Sequence, residues 1–147
     1  MTQQHITVIR GDGIGPDIID ATTKILDKVG CDFVYEYADA GLVALEEHGE
    51  LLPQETLDLI AKNKVALKGP LTTPVGEGFT SINVSLRKQF KLYANLRPVI
   101  SFKGTKARYE DIDIITVREN TQGMYSGLGQ VVSEDGNEAE AMSKITR

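Results

Sequence analysis

The sequence has 147 residues, 41% of them hydrophobic and 25% charged, which is the globular average and argues against disorder and a membrane-embedded class. Its net charge of −5 and the lack of a basic tract or aromatic-rich RNA motif argue against a nucleic-acid surface. No apolar run reaches the roughly 20 residues that span a bilayer, no leader pattern precedes the first strand and a single cysteine, Cys31, precludes an internal disulfide framework, so a cytoplasmic protein without nucleic-acid or membrane partners is expected.

Residues 5–10 (HITVIR) read as a first strand and GDGIGP as a tight turn, with Pro16 well placed for the first position of a helix. Ile18, Ala21, Ile25, Leu26 and Val29 then predict an amphipathic helix, closed by Gly30. Residues 32–38 alternate like a strand, and a short helix over about 42–48 ends at His48-Gly49. A further helix starts near Pro53 with Leu57, Ile60 and Ala61 inward, and residues 64–69 form the next strand. The β-α-β-α-α-β alternation predicts a mostly parallel sheet with helices on both faces.

A Gly/Pro/Thr loop then leads into a short helix. Ile82, Leu86 and Phe90 make an apolar stripe at four-residue spacing, and Asn83, Arg87 and Lys91 a polar one. Ser81 sits at the N-cap position, where first-turn N–H groups carry partial positive charge. A hydroxyl, an amide and a guanidinium so arranged suit a carboxylate or phosphate. The next strand ends at Arg97, residues 98–111 are loop-rich, and IDIITVREN is a strongly apolar strand ending near Arg118. From Thr121 onward two β-like pieces follow, MYSGLGQVVSEDG and EAEAMSKITR. We expect two regions, 1–96 and 97–147, the second too small to bury its own core and its edge completed by further polypeptide.

Each motif also has a bland reading. The turn Gly11-Asp12-Gly13-Ile14-Gly15-Pro16 lacks the third glycine of a dinucleotide fingerprint, and a proline occupies the helix start, so a structural turn is the better reading. Ser81, Asn83 and Arg87 could be a solvated helix face, but Arg97 and Arg118 add two arginines at strand ends, where α/β proteins bind ligands. Three arginines on an acidic chain suggest a ligand with several carboxylates. Tyr125 is an ordinary packing tyrosine or, near cations, a proton donor. His5, His48, Asp12, Asp39, Asp111 and Asp113 show no ligand spacing, so no metal site within this chain is expected.

Five stretches together resemble the β-decarboxylating dehydrogenases: GDGIGP at 11–16, KGPLTTPVGEG at 68–78, SINVSLR at 81–87, YANLRP at 93–98 and VRENTQGMYSG at 117–127. The family includes isocitrate, 3-isopropylmalate and homoisocitrate dehydrogenases, and the resemblance is greatest to NAD-type bacterial isocitrate dehydrogenases. It implies the isopropylmalate dehydrogenase-like α/β fold, with a smaller α/β domain and a β clasp. It implies that Ser81, Asn83, Arg87, Arg97 and Arg118 bind the isocitrate carboxylates, and that Thr72 contacts the nicotinamide side of NAD with Lys68 and Asn95 nearby. Tyr125 would protonate the enolate carbon after carbon dioxide leaves. In some bacterial members the serine matching Ser81 is phosphorylated, which would repel the substrate carboxylate.

The implied reaction is oxidative decarboxylation of isocitrate to 2-oxoglutarate, with Mg²⁺ or Mn²⁺ as Lewis acid. The family's catalytic lysine, metal-binding aspartates and adenosine-binding segment match nothing in this chain. The resemblance therefore implies a longer protein, a homodimer with shared active sites, and little activity from these residues alone. Ser81 and Asn83 favour isocitrate over isopropylmalate, since isopropylmalate dehydrogenases replace this pair to receive an alkyl group. A homoisocitrate or 3-isopropylmalate dehydrogenase and a non-catalytic regulatory subunit remain the alternatives.

Overall fold

A computed structural model describes residues 3–73, 81–123, 126 and 128–146. It divides into two compact units, Met1–Asn83 and Val84–Arg147.

The first unit is built on β1 (Gln4–Ile9), flanked in a parallel sheet by β2 (Phe33–Ala38) and β3 (Ala66–Lys68) in the order β2-β1-β3. The register runs from Gln4 opposite Phe33 to Ile9 opposite Ala38, and sets Thr7 opposite Ala66 on the other side. Parallel strands need crossovers, and helices α1 (Gly15–Lys28), α2 (Leu42–His48) and α3 (Gln54–Asn63) supply them. Side chains alternate along β1, so Ile6 and Val8 face one way, meeting Ile19 of α1 together with Phe33, Tyr35 and Leu67. Thr7 faces the other way and is fully buried, accepting a hydrogen bond from Asn63 Nδ2 of α3 at 3.1 Å. A central strand covered on both faces explains why ITVI is apolar almost throughout.

In two helices the fully buried residues are not those of the apolar pattern. In α1 the buried residues are Gly15, Ile19 and Thr23, whereas Ile18, Ala21, Ile25 and Val29 are exposed. Thr23 is satisfied inside, since its hydroxyl donates back to the Ile19 carbonyl at 3.1 Å. In α3 the fully buried residues are Thr56 and Asn63; Leu57 and Ile60, expected inward, are half-buried, and Ala61, also expected inward, is exposed. Thr56 Oγ1 donates to the Asp39 carbonyl at 2.7 Å and Asn63 Nδ2 reaches Glu36 at 2.6 Å, so both polar groups are satisfied inside.

The expected stop at Gly30 has a specific mechanism. Cys31 N–H donates to the Leu26 carbonyl and Gly30 N–H to the Asp27 carbonyl, with Gly30 at φ +87°, the paired bonds of a Schellman ending. Helix α4 (Ile82–Gln89) ends in the same way on a lysine: Leu92 N–H donates to Arg87 and Lys91 N–H to Lys88, with Lys91 at φ +51°. Lys91 therefore lies beyond the helix and leaves the expected polar stripe, while Ile82 and Leu86 are buried as the apolar stripe predicts.

The second unit centres on an antiparallel ribbon, β4 (Ala94–Ile100) with β5 (Asp113–Glu119). Arg97 thus lies in mid-strand rather than at a strand end, and residues 98–100 belong to β4 rather than to the expected loop. Ser101 N–H continues the ladder to the Ile112 carbonyl at 2.9 Å. Among the described residues of the two β-like pieces that follow, β6 (Val131–Val132) and β7 (Ala139–Glu140) pair, across a turn in which Asp135 accepts from Ser133 Oγ and from Asn137. These contacts hold the Asp135 carboxyl down at about 2, the Ser133 hydroxyl being the largest cause. No helix among the described residues is long and apolar enough to cross a membrane.

Candidate functional site

In the first unit the candidate residues gather at the carboxyl edge of the parallel sheet, where the turn after β1 meets the loop after β3. Gly69 N–H donates to the Ile9 carbonyl and Asp12 N–H to the Pro70 carbonyl, both at 2.8 Å, so turn and loop lie side by side. The approach needs glycine: a Cβ on Gly11, at φ +78°, would stand 2.0 Å from the Pro70 carbonyl oxygen. Thr72 is exposed on this loop, and its N–H donates to Asp12 Oδ2 at 2.6 Å. Lys68, at the end of β3, donates to the Gly69 carbonyl at 2.6 Å. Ser81 is exposed immediately before α4, and Asn83 is half-buried in its first turn. The helix start is tied to the loop by Ile82 N–H and Thr73 Oγ1 at 3.4 Å.

In the second unit the ribbon sorts its residues by face. Directly opposed residues of an antiparallel pair share a face, so Asn95 with Arg118, Arg97 with Thr116 and Val99 with Ile114 make one surface. Leu96 with Val117 and Pro98 with Ile115 make the other, which is wholly apolar at these positions. Two guanidiniums, an amide and a hydroxyl thus stand on neighbouring pairs of a single face. Asn95 and Arg118 are half-buried, Arg97 exposed. Arg87 lies half-buried on α4, one turn after Asn83. Directly beyond Arg118, Glu119 accepts from Thr121 Oγ1 at 2.5 Å and from the N–H groups of Thr121 and Gln122, contacts that lower its pKa, the Thr121 hydroxyl most of all. This carboxylate shapes the turn that leads toward Tyr125, which itself lies outside the described residues.

The chain was compared with known proteins on this footing. The family model for isocitrate/isopropylmalate dehydrogenase matches residues 5–147. The chain belongs to the isocitrate/isopropylmalate dehydrogenase family. It is 44% identical over 131 residues to the isocitrate dehydrogenase (NAD) subunit alpha, mitochondrial, of Homo sapiens, covering 88% of this chain and 35% of that protein. It is 43% identical over 141 residues to the isocitrate dehydrogenase (NAD) catalytic subunit 5, mitochondrial, of Arabidopsis thaliana, covering 96% of this chain and 37% of that one. Among solved structures, the isocitrate dehydrogenase from Methylococcus capsulatus superposes with a TM-score of 0.86 at 45% identity, over 98% of this chain and 43% of that chain. The chain thus spans little more than a third of the length of these curated relatives.

Within this dehydrogenase family member, two features escaped the sequence pattern. The Asp12 carboxylate joins three segments whose sequence separations are 30 and 60 residues, and no local spacing signals such a junction. Asp39, Glu47 and His48 bring ligand atoms within 4.8 Å of one another, the only such group among the described residues. All three are exposed, and the contacts from His48 Nε2, 3.8 Å to Asp39 and 3.9 Å to Glu47, are those of loose surface ion pairs.

Proposed function

We propose that the protein to which this chain belongs is an NAD-dependent isocitrate dehydrogenase, and that this chain supplies its carboxylate clamp and its proton donor. The observation that carries the reading is the shared face of Arg97 and Arg118 on β4 and β5. Guanidiniums match carboxylates with two parallel hydrogen bonds, and isocitrate presents three carboxylates. Arg87, Ser81 and Asn83 complete the clamp in this reading, Arg87 by charge and the other two as neutral hydrogen-bonding groups. The names of the relatives support NAD as the oxidant.

Thr72 is the residue proposed to meet the nicotinamide side of the cofactor, with Lys68 and Asn95 nearby. Its position fits: it is exposed, its backbone is pinned, and it lies on a loop at the carboxyl edge of a parallel sheet, where such sheets take ligands. When bound, NAD accepts hydride and Mg²⁺ or Mn²⁺ serves as a Lewis acid; no residue of this chain is given a metal role. The arginines hold the substrate and neutralise its charge, and Tyr125 delivers the proton that completes 2-oxoglutarate. Assembly with a second family subunit, in the first instance a copy of the same protein, belongs to the proposal. A cytoplasmic setting belongs to the proposal, whereas the curated relatives named above are mitochondrial by name.

The test joins residues 1–147 to the remainder of the Methylococcus capsulatus relative and follows isocitrate- and Mg²⁺-dependent NAD reduction. Replacing Arg97 with Ala should lower kcat/KM for isocitrate about 10-fold or more, since a hydrogen bond to a charged group contributes roughly 1.5–3 kcal/mol. Near-normal turnover would sink the assignment. A higher kcat/KM for 3-isopropylmalate or homoisocitrate than for isocitrate would move the chain to a sister activity, contrary to Ser81 and Asn83.

A further inference from the structure

We propose that Asp12 is a positioning residue, a two-armed clamp that holds the Thr72 loop in register with β1 and α2. The inference deepens the reading of Thr72 as a cofactor contact and rests on it for its functional meaning, though not for its geometry.

The two oxygens of this buried carboxylate, 8% exposed, divide their work. Oδ1 accepts from Leu42 N–H at 2.9 Å and, more weakly, from Val43 N–H at 3.4 Å, the first N–H groups of α2. Helix α2 has a glycine, Gly41, at its N-cap and no capping side chain of its own, so Asp12 does from 30 residues away what an N-cap side chain does locally. Oδ2 accepts from Thr72 N–H at 2.6 Å. The Asp12 backbone is fixed on both sides as well, donating to the Pro70 carbonyl at 2.8 Å and accepting from Gly15 N–H at 2.9 Å.

The surroundings are shaped to the carboxylate. A Cβ on Gly41 would stand 2.3 Å from Asp12 Oδ2 and 2.9 Å from Oδ1. Gly41 at φ +89° both turns the chain into α2 and leaves room for the acid. An aspartate at this position satisfies amides on two segments at once because an ionised carboxylate is acceptor-only. An asparagine cannot: it offers one acceptor oxygen, and its NH₂ must face an N–H donor on the other arm. The loop that presents Thr72 is therefore located by a charge-assisted bond to the turn after β1, rather than by packing of its own exposed side chain.

The experiment is amide hydrogen exchange by NMR on the fusion of residues 1–147 with the remainder of the Methylococcus capsulatus relative, without cofactor, comparing Asp12→Asn and Asp12→Ala with the parent fusion. Leu42 and Thr72 report the two arms and Val8 the core. In Asp12→Asn, with the amide oxygen left on the paired α2 donors, exchange at Thr72 should quicken on the order of 10- to 100-fold. Its amide resonance should move upfield, while Leu42 and Val8 stay protected. Asp12→Ala should release Leu42 and Thr72 together. Unchanged exchange at Thr72 in both variants overturns the clamp. Equal acceleration at Val8 in Asp12→Asn also overturns it, because Asp12 would then serve only global stability. Adding NAD to the parent fusion, which carries the adenosine-binding segment this chain lacks, and watching the Thr72 resonance tests the cofactor reading separately, so each idea fails on its own measurement.

Discussion

Ile19 and Ile25 lie on the same helix, six residues apart, and identical truncations there should have very different consequences. Ile19 is 1% exposed and packs in the cluster with Ile6 and Val8, whereas Ile25 is 62% exposed. Replacing isoleucine with alanine removes about three methylene equivalents, worth roughly 2.4 kcal/mol at 0.8 kcal/mol each when fully buried. The cavity left beneath α1 raises the Ile19→Ala cost to about 3 kcal/mol, within the usual range of about 2–5. A little over a third of the Ile25 surface is covered, so Ile25→Ala should cost about 1 kcal/mol or less. Urea unfolding followed by far-ultraviolet circular dichroism reads both, provided the m-values match that of the parent. Equal costs for the two variants would mean that α1 is rotated toward the stripe its apolar residues suggest, and the account of Thr23 as an inward residue would fall.

Acid should expose the role of Glu36, which accepts from Lys62 at 2.8 Å, Asn63 at 2.6 Å and His5 at 3.3 Å. The Lys62 contact above all lowers its pKa from 4.5 to about 2. A depressed carboxylate stabilises the fold above its unfolded pKa and loses that contribution as pH falls through the folded one. Between about 4.5 and about 2 the parent chain should therefore lose urea resistance more steeply than Glu36→Gln, and parallel profiles would refute this. Lys91→Gly should raise stability by about 0.5–1 kcal/mol, because a left-handed lysine is strained and a glycine is not; a lower urea midpoint would contradict the Schellman ending of α4. Gly13→Ala, at a site with nothing within 4 Å of the added Cβ, should cost only about 1–2 kcal/mol for its positive φ. Gly11→Ala should cost clearly more and disturb the Thr72 amide resonance, since its Cβ meets the Pro70 carbonyl; similar costs would deny the close approach.

The elements and their order were legible in the sequence because local rules specify them. Strand β1 shows itself as an apolar run ending at a glycine turn, α1 by a proline at its start and Gly30 at its end, and α4 by Ile82 and Leu86 one turn apart. The family was legible as well, since five separate motifs keep the family's order, and a glycine-proline loop or an arginine at a set spacing is a local feature. Which residues of α1 and α3 are fully buried was not legible, although the buried stripe of α4 was. Thr23, Thr56 and Asn63 go inside with their hydrogen bonds made, Thr23 to its own helix and the other two to other segments, and a count of apolar residues misjudges a satisfied buried polar group. The grouping of Asn95, Arg97, Thr116 and Arg118 was likewise a matter of pairing register, which a one-residue slip would have dissolved by sending half of them to the opposite face. The sequence alone determined the kinds of residue at the proposed carboxylate clamp and the order of the elements that carry them. Tertiary structure decided which of those residues share a face and that Asp12 joins the turn after β1 to α2 and to Thr72, because hydrogen bonds between segments 30 and 60 residues apart leave no periodic trace in the chain.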